Sequence, residues 1–169
     1  MNVAPRVVTI GERFSSTLTL SADSVKSFAT LVNDLNPLHH DDAYAAQSRF
    51  GGLIASGTQP TAHFMALLAT HFSQYAQPLG LEFDIKLKKA VHAQDTLTMS
   101  WQVRDAWWKP SLNGDLTQLD GSVVNQRGET VLLGAATILV MPSKPKAAHE
   151  IAHETVRPAA QSAQDSQKS

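Results

Sequence analysis

The chain of 169 residues contains no cysteine, which excludes a disulfide scaffold, a thiolate zinc site, an iron–sulfur cluster and a cysteine nucleophile together. Any nucleophile must be an oxygen or a nitrogen. Charge of one sign is also lacking, since 14 Lys and Arg stand against 15 Asp and Glu for a formal net charge of −1. Nothing in that balance captures a phosphate backbone, so nucleic acid is not expected as a partner. Long apolar runs are missing too. The longest, Val131 to Met141, is interrupted by Gly134 and Thr137 and reaches only about half the length of a membrane-spanning helix. Met1 to Arg6 shows no basic stretch leading into an apolar one, so a targeting peptide and a membrane are not expected and the protein reads as cytoplasmic.

What is present divides unevenly. Residues 143–169 hold only Ile151 and Val156 as large aliphatics, too little apolar surface to offset the entropy of ordering, and are expected to form a disordered tail with at most a short helix around Ala147 to Val156. Residues 1–142 then form one domain of ordinary size. Val7 to Leu20 looks like a strand interrupted by a turn at Gly11. Ser21 offers a helix N-cap, with Val25, Phe28, Ala29 and Val32 at helical spacing behind it, and Asn36-Pro37 forces the chain out of helix. Asp41 or Asp42 can cap a short helix through Ala46. Thr58 to Tyr75 carries Ala62, Phe64, Met65, Ala66, Leu67, Leu68, Ala69 and Phe72, leaving almost no polar face, and predicts a buried helix that ends before Pro78 and Gly80.

Beyond Gly80 the period changes to two. Leu81, Phe83, Ile85 and Leu87 alternate with charged residues, as Leu97, Met99, Trp101 and Val103 alternate with polar ones, so both segments predict half-buried strands. Leu116 to Val124 and Glu129 to Val140 predict a hairpin across Asn125-Gln126-Arg127-Gly128, with Trp107 to Gly114 as a longer connection. The expected fold class is α+β, a four-stranded antiparallel meander curling around one long helix.

Unusual polarity concentrates between Asn33 and Gly57. Asp34 and His39 flank a proline turn, where a carboxylate and an imidazole can converge on one water as general acid–base equipment. Asn36 can bond its local backbone and Pro37 restricts φ. Taken residue by residue, Asp34 could equally end a helix and His39 lie on the surface. Ser56-Gly57 opens the apolar helix, whose first N–H groups are unpaired donors at the positive end of its dipole, and a glycine there admits a ligand close to the backbone. Such donors suit a thioester carbonyl that gains negative charge in the transition state.

The pattern Asp34-x-Asn36-Pro37-x-His39-x-Asp41, followed by Gly51-Gly52-Leu53-Ile54-Ala55-Ser56-Gly57, resembles the MaoC-like hot-dog dehydratases and (R)-specific enoyl-CoA hydratases, over roughly Val7 to Pro142. The resemblance implies a hot-dog fold, an antiparallel sheet wrapped around a long central helix. It implies that Asp34 and His39 hold the reacting water, that the Gly57 N–H polarises the thioester carbonyl, and that Asn36, Ser56, Gly52 and Ile54 help to bind the substrate. The implied reaction adds water to a trans-2-enoyl thioester of coenzyme A or acyl carrier protein, giving an (R)-3-hydroxyacyl thioester, or runs in reverse. No cofactor or metal is implied, and the expected partner is a second copy of the chain, as a homodimer or an assembly of dimers. Where many hydratases carry His-Gly, this chain has Ser56-Gly57.

Two other activities stay open at this point: an acyl-CoA thioesterase of the same fold, and a non-catalytic acyl-thioester binder. His39-His40-Asp41-Asp42 offers metal-type ligands, but adjacent side chains seldom converge on one centre. Lys86, Lys88, Lys89, Arg104 and Lys109 can either meet the phosphates of coenzyme A or form a solvated strand face.

Overall fold

The computed structural model describes residues 6–143. Its frame is one antiparallel sheet of β1 (Arg13–Thr19), β2 (Ala76–Leu87), β3 (Thr96–Lys109), β4 (Gly114–Asn125) and β5 (Thr130–Pro142), in the order β1-β3-β4-β5-β2. The helices all precede β2: α1 (Ala22–Leu31), a 3-10 turn (Pro37–His39), α2 (Asp42–Gln47) and the long α3 (Thr58–Phe72). The sheet curls around α3 in the hot-dog arrangement that the resemblance implies.

Local chemistry sets most of the boundaries. The Ser21 hydroxyl accepts from the Ser24 N–H at 3.1 Å and starts α1, and the Asp41 carboxylate accepts from the Ala43 and Tyr44 N–H groups and starts α2. Each satisfies helix donors that would otherwise be unpaired. The centre of the core is a stacked pair, Phe64 of α3 on Trp101 of β3, with ring centroids 4.1 Å apart. The indole N–H donates to the Phe64 carbonyl at 2.9 Å, so this large side chain leaves no buried donor unpaired. Gly121 pairs with Trp101 across β3 and β4 and with Gly134 across β4 and β5. A Cβ at Gly121 would stand 2.5 Å from the Trp101 ring, and one at Gly134 would stand 2.6 Å from Phe64. The two glycines make the space in which the rings stack.

Five expectations need correction. The sheet is not a four-stranded meander, since β1 adds a fifth strand beside β3 and β2 pairs with β5 instead of β3. The strand expected from Leu81 begins at Ala76, with Pro78 and Gly80 inside it rather than before it. β2 lies at the sheet edge, where a proline costs no ladder hydrogen bond, and the register shifts between Gly80 and Glu82. The connection expected from Trp107 is half strand, because β3 continues to Lys109 and turns only over Pro110–Leu112, with Asn113 at φ 49° before β4 begins at Gly114. The strand expected from Val7 forms only after the turn at Gly11, and the Val7 and Val8 N–H groups donate instead to the buried Asp115 carboxylate at 2.7 and 3.0 Å. Within one chain, finally, α3 buries a single face of Gln59, Pro60, Phe64, Leu68 and Phe72, while Ala62, Ala66 and Ala69 are exposed. Alanine favours helix without requiring burial, so apolar count alone overstated the burial. The expected tail lies outside the described residues, apart from Ser143. Among the described residues, no helix is long and apolar enough to cross a membrane.

Candidate active site

The loop between α1 and α2 folds back on itself. Val32 caps α1 with its N–H donating to the Phe28 carbonyl, Asn33 follows at φ 57° with its N–H donating to the Thr30 carbonyl, and the Asp34 N–H donates to the Ala29 carbonyl at 2.9 Å. Asparagine tolerates this left-handed conformation better than most side chains. The Asn36 side chain then accepts from the Leu38 N–H at 3.1 Å and caps the 3-10 turn. That turn aims His39 back at Asp34.

His39 Nε2 lies 3.4 Å from Asp34 Oδ2, with the His39 side chain 7% exposed and that of Asp34 32% exposed. On the other side of the ring, His39 Nδ1 is 2.8 Å from the Ile54 carbonyl. A carbonyl can only accept, so Nδ1 carries the proton and Nε2 is the nitrogen left to face Asp34. In the neutral ring Nε2 is an acceptor, and a water molecule with two O–H groups is the smallest donor to both Nε2 and the carboxylate.

The Asp34 carboxyl is held below the ordinary carboxylate range, first by the Ser56 hydroxyl and then by the Asn36 N–H, against a small burial penalty, with His39 and His40 adding further help. Asp34 Oδ1 accepts the Asn36 N–H at 3.2 Å. Ser56 is itself buried and shares a hydrogen bond of 2.8 Å with the Thr58 hydroxyl. Gly57, the residue after Ser56, is the N-cap of α3 with no side-chain cap, so its end of the helix offers free N–H donors beside the pair. A Cβ at Gly57 would meet Leu87 Cδ1 at 2.7 Å; Leu87, at the end of β2, therefore packs against Gly57.

The structure thus brings Asp34, Asn36, His39, Ile54, Ser56 and Gly57 together. Ile54 contributes its carbonyl, while its side chain is buried. Gly52 shows open space where a side chain would stand. The four residues that offered a metal set diverge: His39 faces the Asp34 carboxylate, His40 reaches the Asp34 carbonyl, Asp41 caps α2 and Asp42 pairs with Lys26. Of the basic candidates, Lys86 pairs with Asp84, Lys89 with Glu129 and Arg104 with Asp120. Leu87 and Thr58 had no local signal as site residues. Leu87 lies 30 positions beyond Gly57, and Thr58 reads simply as the start of a helix.

A sheet wrapped on a central helix, with a carboxylate and an imidazole facing each other in the loop ahead of that helix, defines a hot-dog protein. The MaoC like domain model matches residues 7–116, and the chain belongs to that family. Among solved structures, R-hydratase PhaJ1 from Pseudomonas aeruginosa is similar at 26% identity, over 80% of this chain and 84% of that one, with a TM-score of 0.70. The MaoC-like dehydratase from Rhodospirillum rubrum is 27% identical over 82% of this chain and 96% of that one, with a TM-score of 0.69. The (R)-hydratase from A. caviae involved in PHA biosynthesis shares the fold, at 24% identity, 82% and 100% coverage and a TM-score of 0.71. No curated protein matches the sequence.

Proposed function

We propose that this chain interconverts a trans-2-enoyl thioester and an (R)-3-hydroxyacyl thioester by adding or removing water. The observation that carries the reading is the Asp34 carboxylate facing the His39 imidazole, Oδ2 to Nε2 at 3.4 Å, with Nδ1 on the far side of the ring donating to the Ile54 carbonyl. A water donating to both has its lone pairs turned outward, toward C3 of the substrate. As its oxygen bonds C3, the pair takes one proton from the water and returns one proton to C2, so that H and OH add across the double bond. Negative charge passes through the thioester oxygen, where the Gly57 N–H and the α3 dipole stabilise it. The (R) configuration follows the R-hydratases that the chain is similar to.

The substrate carrier is coenzyme A or acyl carrier protein, and the expected partner is a second copy of the chain. The apolar surface of edge strand β2 supports that pairing: Leu79, Leu81 and Leu87 are each at least half exposed in the single chain, an arrangement that isolated proteins avoid. Incubation with trans-2-enoyl-CoAs of increasing length, and with the corresponding acyl carrier protein esters, tests the reading by chiral analysis of the product. An (R)-3-hydroxyacyl thioester is expected. Free thiol released without hydroxyacyl product points to thioester hydrolysis, and tight binding without turnover points to a binder; either result sinks the proposal. Sedimentation analysis checks the dimer separately.

A further inference from the structure

The neighbouring histidines serve opposite ends of one residue. His39 faces the Asp34 carboxylate, whereas His40 Nε2 lies 2.6 Å from the Asp34 backbone carbonyl. We propose that His40 is a positioning residue, whose Nε2–H bond to the Asp34 carbonyl holds the Asp34 main chain so that its carboxylate meets His39. The proposal rests on the reading of Asp34 and His39 as the working pair.

Packing does little to hold this loop. Leu31 and Leu35, on either side of Asp34, are 81% and 76% exposed, and Asn33 stands in the left-handed region. Backbone hydrogen bonds must therefore supply the rigidity that buried side chains supply elsewhere. The Asp34 N–H is fixed by the Ala29 carbonyl at the end of α1. Its carbonyl is fixed by His40, which is anchored in turn because its own N–H donates to the Pro37 carbonyl at 3.1 Å. Both peptide groups that flank the Asp34 Cα are thus tied, one to each side of the loop. A carbonyl accepts only, so His40 Nε2 is the donor, and it donates in the neutral ring and in the imidazolium alike. Nε2 is thereby committed and is not available as a metal ligand.

Three substitutions separate this role from bulk, charge and folding. His40→Leu removes the donor, His40→Gln keeps a donor near the Nε2 position, and His40→Asn keeps one only near Nδ1, too short to reach. Displacing a catalytic group by about 1 Å costs up to about 100-fold in rate, so kcat for enoyl-thioester hydration is expected to fall about 10- to 100-fold in the Leu and Asn variants with KM little changed. His40→Gln is expected to restore most of kcat. Equal losses in the Gln and Asn variants, or none in any, would overturn the proposal, and that comparison stands even where the Leu variant is unfolded.

A second readout does not depend on turnover. Titration of the Asp34 carboxyl, followed by carbon NMR, is expected to move upward more in His40→Asn than in His40→Gln. Both variants remove any His40 charge, so the difference reports the lost hydrogen bond. Identical titration in the two variants contradicts the proposal. A wild-type protein without hydration activity sinks the reaction assigned above, while the titration still decides the role of His40.

Discussion

Asp34 and His39 are expected to act as one catalytic unit, so that replacing both costs scarcely more than replacing one. The informative substitutions are Asp34→Asn and His39→Asn. Asparagine at 39 places its amide N–H near the position of Nδ1, keeping the bond to the Ile54 carbonyl that the native ring makes at 2.8 Å, while Nε2 disappears. Without that replacement bond, a buried carbonyl would lose its partner at about 1–3 kcal/mol, and loss of stability would be confused with loss of chemistry. General acid–base help is typically about 10²- to 10⁴-fold, or about 2.7 to 5.4 kcal/mol of barrier. Each single variant is expected to lose that much kcat for hydration of a short enoyl-CoA, followed as loss of the conjugated thioester absorbance. If both groups hold the same water, either loss disables it, and the double variant falls only slightly below the worse single. Independent roles would multiply to about 10⁴- to 10⁸-fold. Thermal midpoints serve as the control, since about 1 kcal/mol corresponds to about 2–4 °C in a chain of this size. Multiplicative losses in well-folded variants would refute the shared water.

Gly57→Ala places a methyl 2.7 Å from Leu87 Cδ1, and Leu87, 59% exposed, can turn aside; stability is expected to hold while kcat/KM falls, and Leu87→Ala in the same chain is expected to recover part of the loss in steady-state assays. Gly134→Ala meets the Phe64 ring at 2.6 Å and Trp101 at 2.9 Å, neither free to rotate in their stack, so overpacking is expected to cost about 1–3 kcal/mol in urea unfolding. An unchanged midpoint would contradict the stacked core. Glu129 is held down from 4.5 to about 2 by the Asn125 amide, Lys89 and Arg127. A folded value below the unfolded one makes its contribution complete above about pH 4.5 and lost as the pH falls toward about 2. Thermal melts across that window are expected to show a decline that Glu129→Gln flattens, and an identical pH dependence in the variant would remove Glu129 as its source.

The hot-dog fold was legible where periodicity and capping agree. Ser21 and Asp41 start the helices that their side chains suggest, and the alternation from Leu97 to Val103 becomes the buried face of β3. The errors share one cause, which is that local signals cannot weigh tertiary context. Pro78 and Gly80 read as breakers, yet an edge strand leaves the proline without a ladder bond to lose. Trp107 and Trp108 read as a loop, yet Leu116 and Asp115 pair with them across β4. Val7 and Val8 read as strand, yet a buried carboxylate more than 100 residues away takes their N–H groups.

The candidate site was legible for a different reason: its polar atoms lie within one short stretch of chain, where spacing nearly determines proximity. Asp34 and His39 span a proline turn, and Ser56-Gly57 opens α3, so each half is a local motif. What joins the halves is the bond from His39 to the Ile54 carbonyl, between residues 15 apart, and the Ser56 hydroxyl beside Asp34. Neither has a sequence signature, because a backbone carbonyl accepts whatever side chain its residue carries. The same holds for His40, which belongs to the motif by position but acts on the Asp34 main chain. A histidine there reads as a ligand or a surface residue until the loop is seen folded back. Its substitution by glutamine, alike in reach and unlike in charge, is therefore expected to be tolerated, whereas glutamine at 39 places its single donor at the Nε2 end, facing Asp34, and leaves the Ile54 carbonyl without its partner.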